Sequence, residues 1–64
     1  MREVELRARL DQHLSHPYSL LWAQTQVLGS LGQRTVDEAL AAGVPCKQIW
    51  RCAWAELELP ESYR

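Results

Sequence analysis

Apolar residues recur along this chain at intervals of three and four, the spacing of one helix face rather than of a strand. Leu6, Leu10 and Leu14 fall every four residues, while Glu3 with Arg7 and Glu5 with Arg9 stand four apart as charge pairs on the outer side. The pattern predicts an amphipathic helix over residues 3–14, ended by Ser15, His16 and Pro17. Pro17 suits the first position of a second helix, where its missing amide hydrogen would be unpaired anyway, with Ser15 or His16 near the cap.

The second predicted helix, residues 17–31, carries no charged side chain. On a helical wheel Tyr18, Leu21, Trp22, Thr25 and Leu28 form one face, with Leu20, Val27 and Leu31 to its side. A narrow small or polar strip remains: Ser19, Ala23, Gln26 and Ser30. A helix apolar most of the way round is usually interior, so this one is expected at the centre of a bundle. The Leu20, Val27 and Leu31 side is the candidate apolar interface should part of it meet a partner.

Gly32 ends that helix, and Thr35 opens a short third one over residues 36–42. Thr35 can accept from the first-turn amides while Glu38, three residues on, closes a reciprocal capping box. Val36, Ala39 and Leu40 give the inward stripe, and Gly43 supplies a left-handed residue to stop the helix. A fourth helix is predicted over residues 45–58, limited by Pro60, with a short tail from about residue 60. The chain therefore reads as all-α, a single domain over residues 1–64, folded as a bundle of four short helices.

Helices three and four resemble a helix-turn-helix hairpin. Ala39 is small at the crossing point, Gly43 lies at the turn, Val44 follows it, and Ile49 is a β-branched core residue in the second helix. On that reading Pro45, Cys46, Lys47, Gln48, Trp50 and Arg51 would face DNA. The wheel of helix four opposes it: Ile49, Ala53, Cys46, Leu57, Trp50 and Trp54 fall within an arc of about 140°. Lys47, Gln48, Arg51, Ala55 and Glu58 take the opposite side. Trp50 thus belongs to the apolar stripe, and burying large indoles is favourable at about 25 cal/mol per Å².

Length and charge narrow the function. A chain of 64 residues hides only about 60% of the surface its unfolded form exposes, and its core is worth roughly 3 to 5 kcal/mol. A homodimer would supplement so small a core. Seven Lys plus Arg against eight Asp plus Glu give a net charge of -1, which excludes a dominant electrostatic pull toward nucleic acid or anionic membrane. Arg34, Lys47 and Arg51 are the cations on the DNA side, and three phosphate contacts give a salt slope of only about -2.7. The charged N-terminal stretch is unlike a signal peptide, and the uncharged run from Ser15 to Gln33 is too polar to span a membrane, so a cytoplasmic location is expected.

Candidate chemistry is sparse. Cys46 and Cys52 lie six residues apart on one predicted helix, a rise of roughly 9 Å, beyond the reach of a disulfide. Their spacing matches no zinc pattern. His13 and His16 fit the negative end of helix one, and Asp37 and Glu38 the positive end of helix three, without catalysis. No nucleophile, base and orienting group converge in the sequence, so an enzyme, a metal site and a cofactor are not expected.

A resemblance extends the reading. Trp22, Val27, Leu28, Leu31, Gly32, Arg34, Thr35, Val36, Glu38, Ala39, Leu40, Gly43, Trp50 and Arg51 follow a progression that resembles an actinobacterial family of small helical proteins, domain-of-unknown-function family 3046, with Ile49 where Val is usual. Gln24, Thr25 and Gln26 replace positions where charged residues and a His are common, and Val44-Pro45 replaces an Asp-Pro cap. The resemblance implies a helical fold without assigned activity, in genes often placed beside the recombinase RecA and its regulator RecX, hence an accessory to recombination or repair. The expectation is a non-enzymatic module that binds a protein partner, through Leu20, Val27 and Leu31 or through Arg34, Lys47, Gln48 and Arg51. Helix-turn-helix DNA binding through helix four is the alternative.

Overall fold

Leucines at four-residue spacing make α1, Glu3–Leu14, whose buried residues are Leu6 and Leu10, with Leu14 half-buried beside them. The computed structural model that establishes this describes residues 1–63; the expected single domain and its tail extend to Arg64, which lies outside the described residues. The remaining helices are α2, Tyr18–Thr25, α3, Val36–Ala41, and α4, Cys46–Glu56, and a short 3-10 turn, Glu61–Tyr63, occupies the tail. No strand forms among the described residues. α1 packs on α2 and α4, α2 on α3, and α3 on α4.

The second helix is shorter than its apolar run suggested. It ends at Thr25, not near residue 31. Thr25 turns its hydroxyl back to donate to the Leu21 carbonyl at 2.7 Å, and Gln26 takes an extended conformation (ψ 111). Two β-branched residues, Thr25 and Val27, followed by Gly29, Ser30 and Gly32, make this stretch a poor helix. A separate 3-10 turn, Gly29–Leu31, is pinned by the Leu28 amide donating to the Arg34 carbonyl at 2.9 Å. Gly32 (φ 74) and Gln33 (φ 62), both left-handed, reverse the chain there.

This turn drives Leu28 and Leu31 into the core. They join Leu6 and Leu10 from α1, Trp22 and Ala23 from α2, Val36 and Ala39 from α3, and Ile49, Trp50 and Ala53 from α4. The Thr35 capping box is present in full: the Glu38 amide donates to Thr35 Oγ1 at 3.1 Å and the Thr35 amide to Glu38 Oε1 at 2.9 Å. α4 begins one residue later than expected, after Pro45, with no side chain on its first amides. It ends at Glu56, two residues earlier than expected, because Glu58 (φ 54) turns the chain before Pro60 is reached.

Polar ties fasten α1 to its neighbours. Arg7 Nη2 meets Asp37 Oδ1 of α3 at 2.7 Å, and the buried Ser19 hydroxyl of α2 donates to Asp11. Arg7 also stands 3.7 Å from Glu3, the expected i,i+4 pair. Among the described residues no helix is long and apolar enough to cross a membrane.

Candidate interaction surfaces

On α2 the expected wheel is turned over. Ser19 and Ala23, assigned to the outward strip, are buried at 3% and 0% exposure. Tyr18 and Leu21, expected inside, are 53% and 54% exposed. Trp22 alone of that α2 face points fully inward. The reason lies in close approach: the small Ser19 and Ala23 let α2 sit near α1 and α3, and Ser19 makes the bond to Asp11. What faces outward is an uncharged surface of Tyr18, Leu20, Leu21, Gln24 and Thr25.

The candidate apolar interface divides. Leu20 and Val27 are exposed, at 41% and 46%, but Leu31 is a core residue and cannot take part. Had helix two continued, all three would have shared a side; the break after Thr25 sends Leu31 inward.

The basic candidates divide as well. Arg34, Lys47, Gln48 and Arg51 are all exposed. Lys47 and Arg51 border a cleft of about 510 Å³ between α1 and α4, together with Met1, Glu5, Arg9 and Trp50. Arg34 and Gln48 are not among its lining residues; Arg34 belongs to the reversal beside Gly32. Arg9 is the site residue that sequence reasoning missed. Its guanidinium lies 5.5 Å from the centroid of the Trp50 ring, and His13 stacks on the same ring at 5.9 Å and 26°. Nothing local to α1 signals this, because the i,i+4 pattern offers Glu5 as the partner for Arg9; only the docking of α1 on α4 brings Arg9 beside Lys47 and Arg51.

Trp50 is 2% exposed, as its place in the apolar arc of α4 predicts. It is therefore withdrawn from any groove-reading role. Trp54 is half-buried and donates its ring N–H to the Pro60 carbonyl at 2.9 Å. The other members of the two predicted sides of α4 separate as expected: Ile49 and Ala53 are buried and Cys46 and Leu57 half-buried, whereas Lys47, Gln48, Arg51, Ala55 and Glu58 are exposed.

Residues with reactive chemistry are dispersed. Cys46 and Cys52 are half-buried free thiols. His16 Nδ1 lies 3.5 Å from Asp11 Oδ1, while His13 is committed to Trp50. Among the described residues no three His, Cys, Asp or Glu side chains gather where they could hold a metal ion.

No curated protein matches the chain, and no solved structure does. One family model, described as "Protein of unknown function (DUF3046)", matches residues 1–62, almost the entire length. The chain therefore belongs to this family of proteins of unknown function, as the progression from Trp22 to Arg51 led us to expect.

Proposed function

We propose that this chain is a small non-enzymatic module that binds a protein partner through the uncharged outer face of α2. The observation that carries this is the turned-over wheel: a helix that buries Ser19 and Ala23 while presenting Tyr18, Leu20 and Leu21 to solvent. Single exposed apolar residues are ordinary, but three on one short helix, with no charge among them and Val27 just beyond, form the kind of patch that marks an interaction site. The gene neighbourhood that the family resemblance implies supports an accessory role in recombination or repair, acting in the cytoplasm.

The test is affinity capture from the source cells with the wild-type chain and with Leu21→Asp, Val27→Asp and Arg51→Ala. A partner retained by the wild type and lost with both aspartate variants is the expected result, whereas loss with Arg51→Ala alone would take the contact away from α2. Equal recovery by all four would remove α2 from the contact. Sedimentation of the isolated chain tests whether a homodimer uses the same face: a dimer dissociated by Leu21→Asp would identify the second copy as occupant.

The alternative reading, DNA binding by a helix-turn-helix formed from α3 and α4, is supported by the exposure of Lys47, Gln48 and Arg51 along α4 and by the buried Ala39 at the α3–α4 contact. It predicts duplex binding at low salt that weakens with Arg51→Ala across all sequences, with a slope near -2.7 for three phosphate contacts. Burial of Trp50 and the net charge of -1 make it the second choice.

A further inference from the structure

We propose that the cleft between α1 and α4 is a docking site for an acidic peptide segment of the partner protein. The inference rests on the interaction-module reading and adds the chemistry of what is held. Three cations from two helices, Arg9, Lys47 and Arg51, line this cleft of about 510 Å³, with Glu5 as the carboxylate in its described lining. Arg7 and His16 make ion pairs, whereas these three cations make none with a described residue. Lys47 and Arg51 are four apart on the exposed side of α4, an arrangement in which like charges repel. An incoming carboxylate relieves that repulsion.

Arg9 is the pre-set element. Its guanidinium rests against the ring of Trp50, which is almost fully buried and held from the other helix by His13. A long side chain already confined loses less freedom when it binds, and guanidinium matches a carboxylate in a two-pronged geometry.

The rest of the charge distribution selects a peptide over a nucleic acid. Glu56 lies half a turn round α4 from Lys47 and about 13.5 Å along it, and accepts from Gln26 at 3.4 Å; Glu58 and Glu61 follow in the turns beyond. The cationic stretch of α4 is short, Lys47 and Arg51 lying within about 6 Å of rise, which fits a segment carrying two or three acidic side chains better than the backbone of a duplex. Glu5 points the same way. A peptide backbone can donate an N–H to it, while a phosphodiester backbone has no hydrogen to give.

The experiment is fluorescence anisotropy of the full chain with labelled hexaglutamate, in about 20 mM and about 150 mM salt. Saturable binding at low salt is expected, weakened by added salt, and weakened about tenfold or more by Lys47→Glu and by Arg51→Glu. Arg9→Gln should weaken it similarly. If that variant loses its helical circular dichroism, the exposed Lys47→Glu decides alone. Leu21→Asp, on α2 and outside the lining of the cleft, should leave the affinity within about twofold, so a failure of the α2 reading and a failure of this one are separate results. The proposal is overturned if hexalysine binds as well as hexaglutamate, if charge reversal changes nothing, if Leu21→Asp abolishes peptide binding, or if an eight-nucleotide single strand or a duplex binds more tightly at the same salt.

Discussion

Two helices of this protein end in the same motif with opposite residue choices, and the contrast isolates what one backbone conformation costs. After α3 the Gly43 amide donates to the Leu40 carbonyl at 3.1 Å and the Val44 amide to Ala39 at 3.0 Å. After α4 the Glu58 amide donates to Ala55 at 3.2 Å and the Leu59 amide to Trp54 at 3.1 Å. Both are Schellman endings, in which a left-handed residue lets two amides satisfy the last carbonyls, and Val44 and Leu59 each tuck against the core. Gly43 takes the left-handed position at φ 84 without a side chain to resist it; Glu58 takes it at φ 54 with one. An L-residue there costs roughly 1 to 2 kcal/mol, partly offset by the extra freedom glycine has when unfolded. Glu58→Gly should therefore stabilise the fold by about 0.5 to 1 kcal/mol. Nothing lies within 4 Å of a Cβ placed on Gly43, so Gly43→Ala should destabilise by about 1 kcal/mol from backbone strain without a clash. Urea midpoints at unchanged slope would report both, and a loss of stability in Glu58→Gly would contradict the argument.

At the level of elements, what could be read in advance depended on whether a local device or a distant neighbour decides the outcome. The capping box of Thr35 and Glu38, the glycine stop at Gly43 and the apolar arc of α4 are settled within a few residues, and each stands in the structure as its pattern predicts. α2 is settled elsewhere. Its run is apolar on nearly every side, so the wheel gives no direction, and orientation falls to the small Ser19 and Ala23, which permit close packing and the bond to Asp11. Small residues pattern weakly with hydrophobicity, so a wheel places Ser19 and Ala23 on the polar strip although both are buried. Leu31→Ala opens the core and should cost about 2 to 5 kcal/mol, while Leu20→Ala, exposed on α2, should stay within about 0.5 kcal/mol of wild type. Comparable losses for the two would restore the long helix of residues 17–31. The Ser19–Asp11 tie gives an independent check. Asp11→Ala strands a buried hydroxyl and should cost about 1 to 3 kcal/mol, and the double variant with Ser19→Ala should recover part of that loss, a coupling that a double-mutant cycle would measure.

On the scale of the whole molecule, the chain spans 26 by 24 by 20 Å, and a single indole sits where its elements meet. Trp50 is the largest fully buried side chain, and α1 lays Arg9 and His13 against it. Its burial was readable from the arc of α4. Its covering was not, because Arg9 and His13 are polar residues recruited from a helix about forty residues earlier, and no local pattern links them to α4. The same gap separates the cluster that the sequence predicts, Arg34, Lys47 and Arg51, from the one the cleft gathers, which has Arg9 in place of Arg34. So small a protein has little stability in reserve. Removing a buried Trp side chain costs about 3 to 5 kcal/mol, and a core of this size supplies roughly the same amount. Trp50→Ala should therefore leave the chain largely unfolded at 25 °C. Far-UV circular dichroism should lose most of its helical signal, with no cooperative melt. Arg51→Ala, the next residue but on the exposed side of α4, should keep the wild-type spectrum and melt within a few degrees of it. Trp50→Phe keeps an aromatic ring for Arg9 and His13 to cover, and should fold with a lowered midpoint. A well-folded Trp50→Ala would show that the helices hold together without the indole, and that the stability of the bundle is distributed over Leu6, Leu10, Leu28 and Ile49 instead.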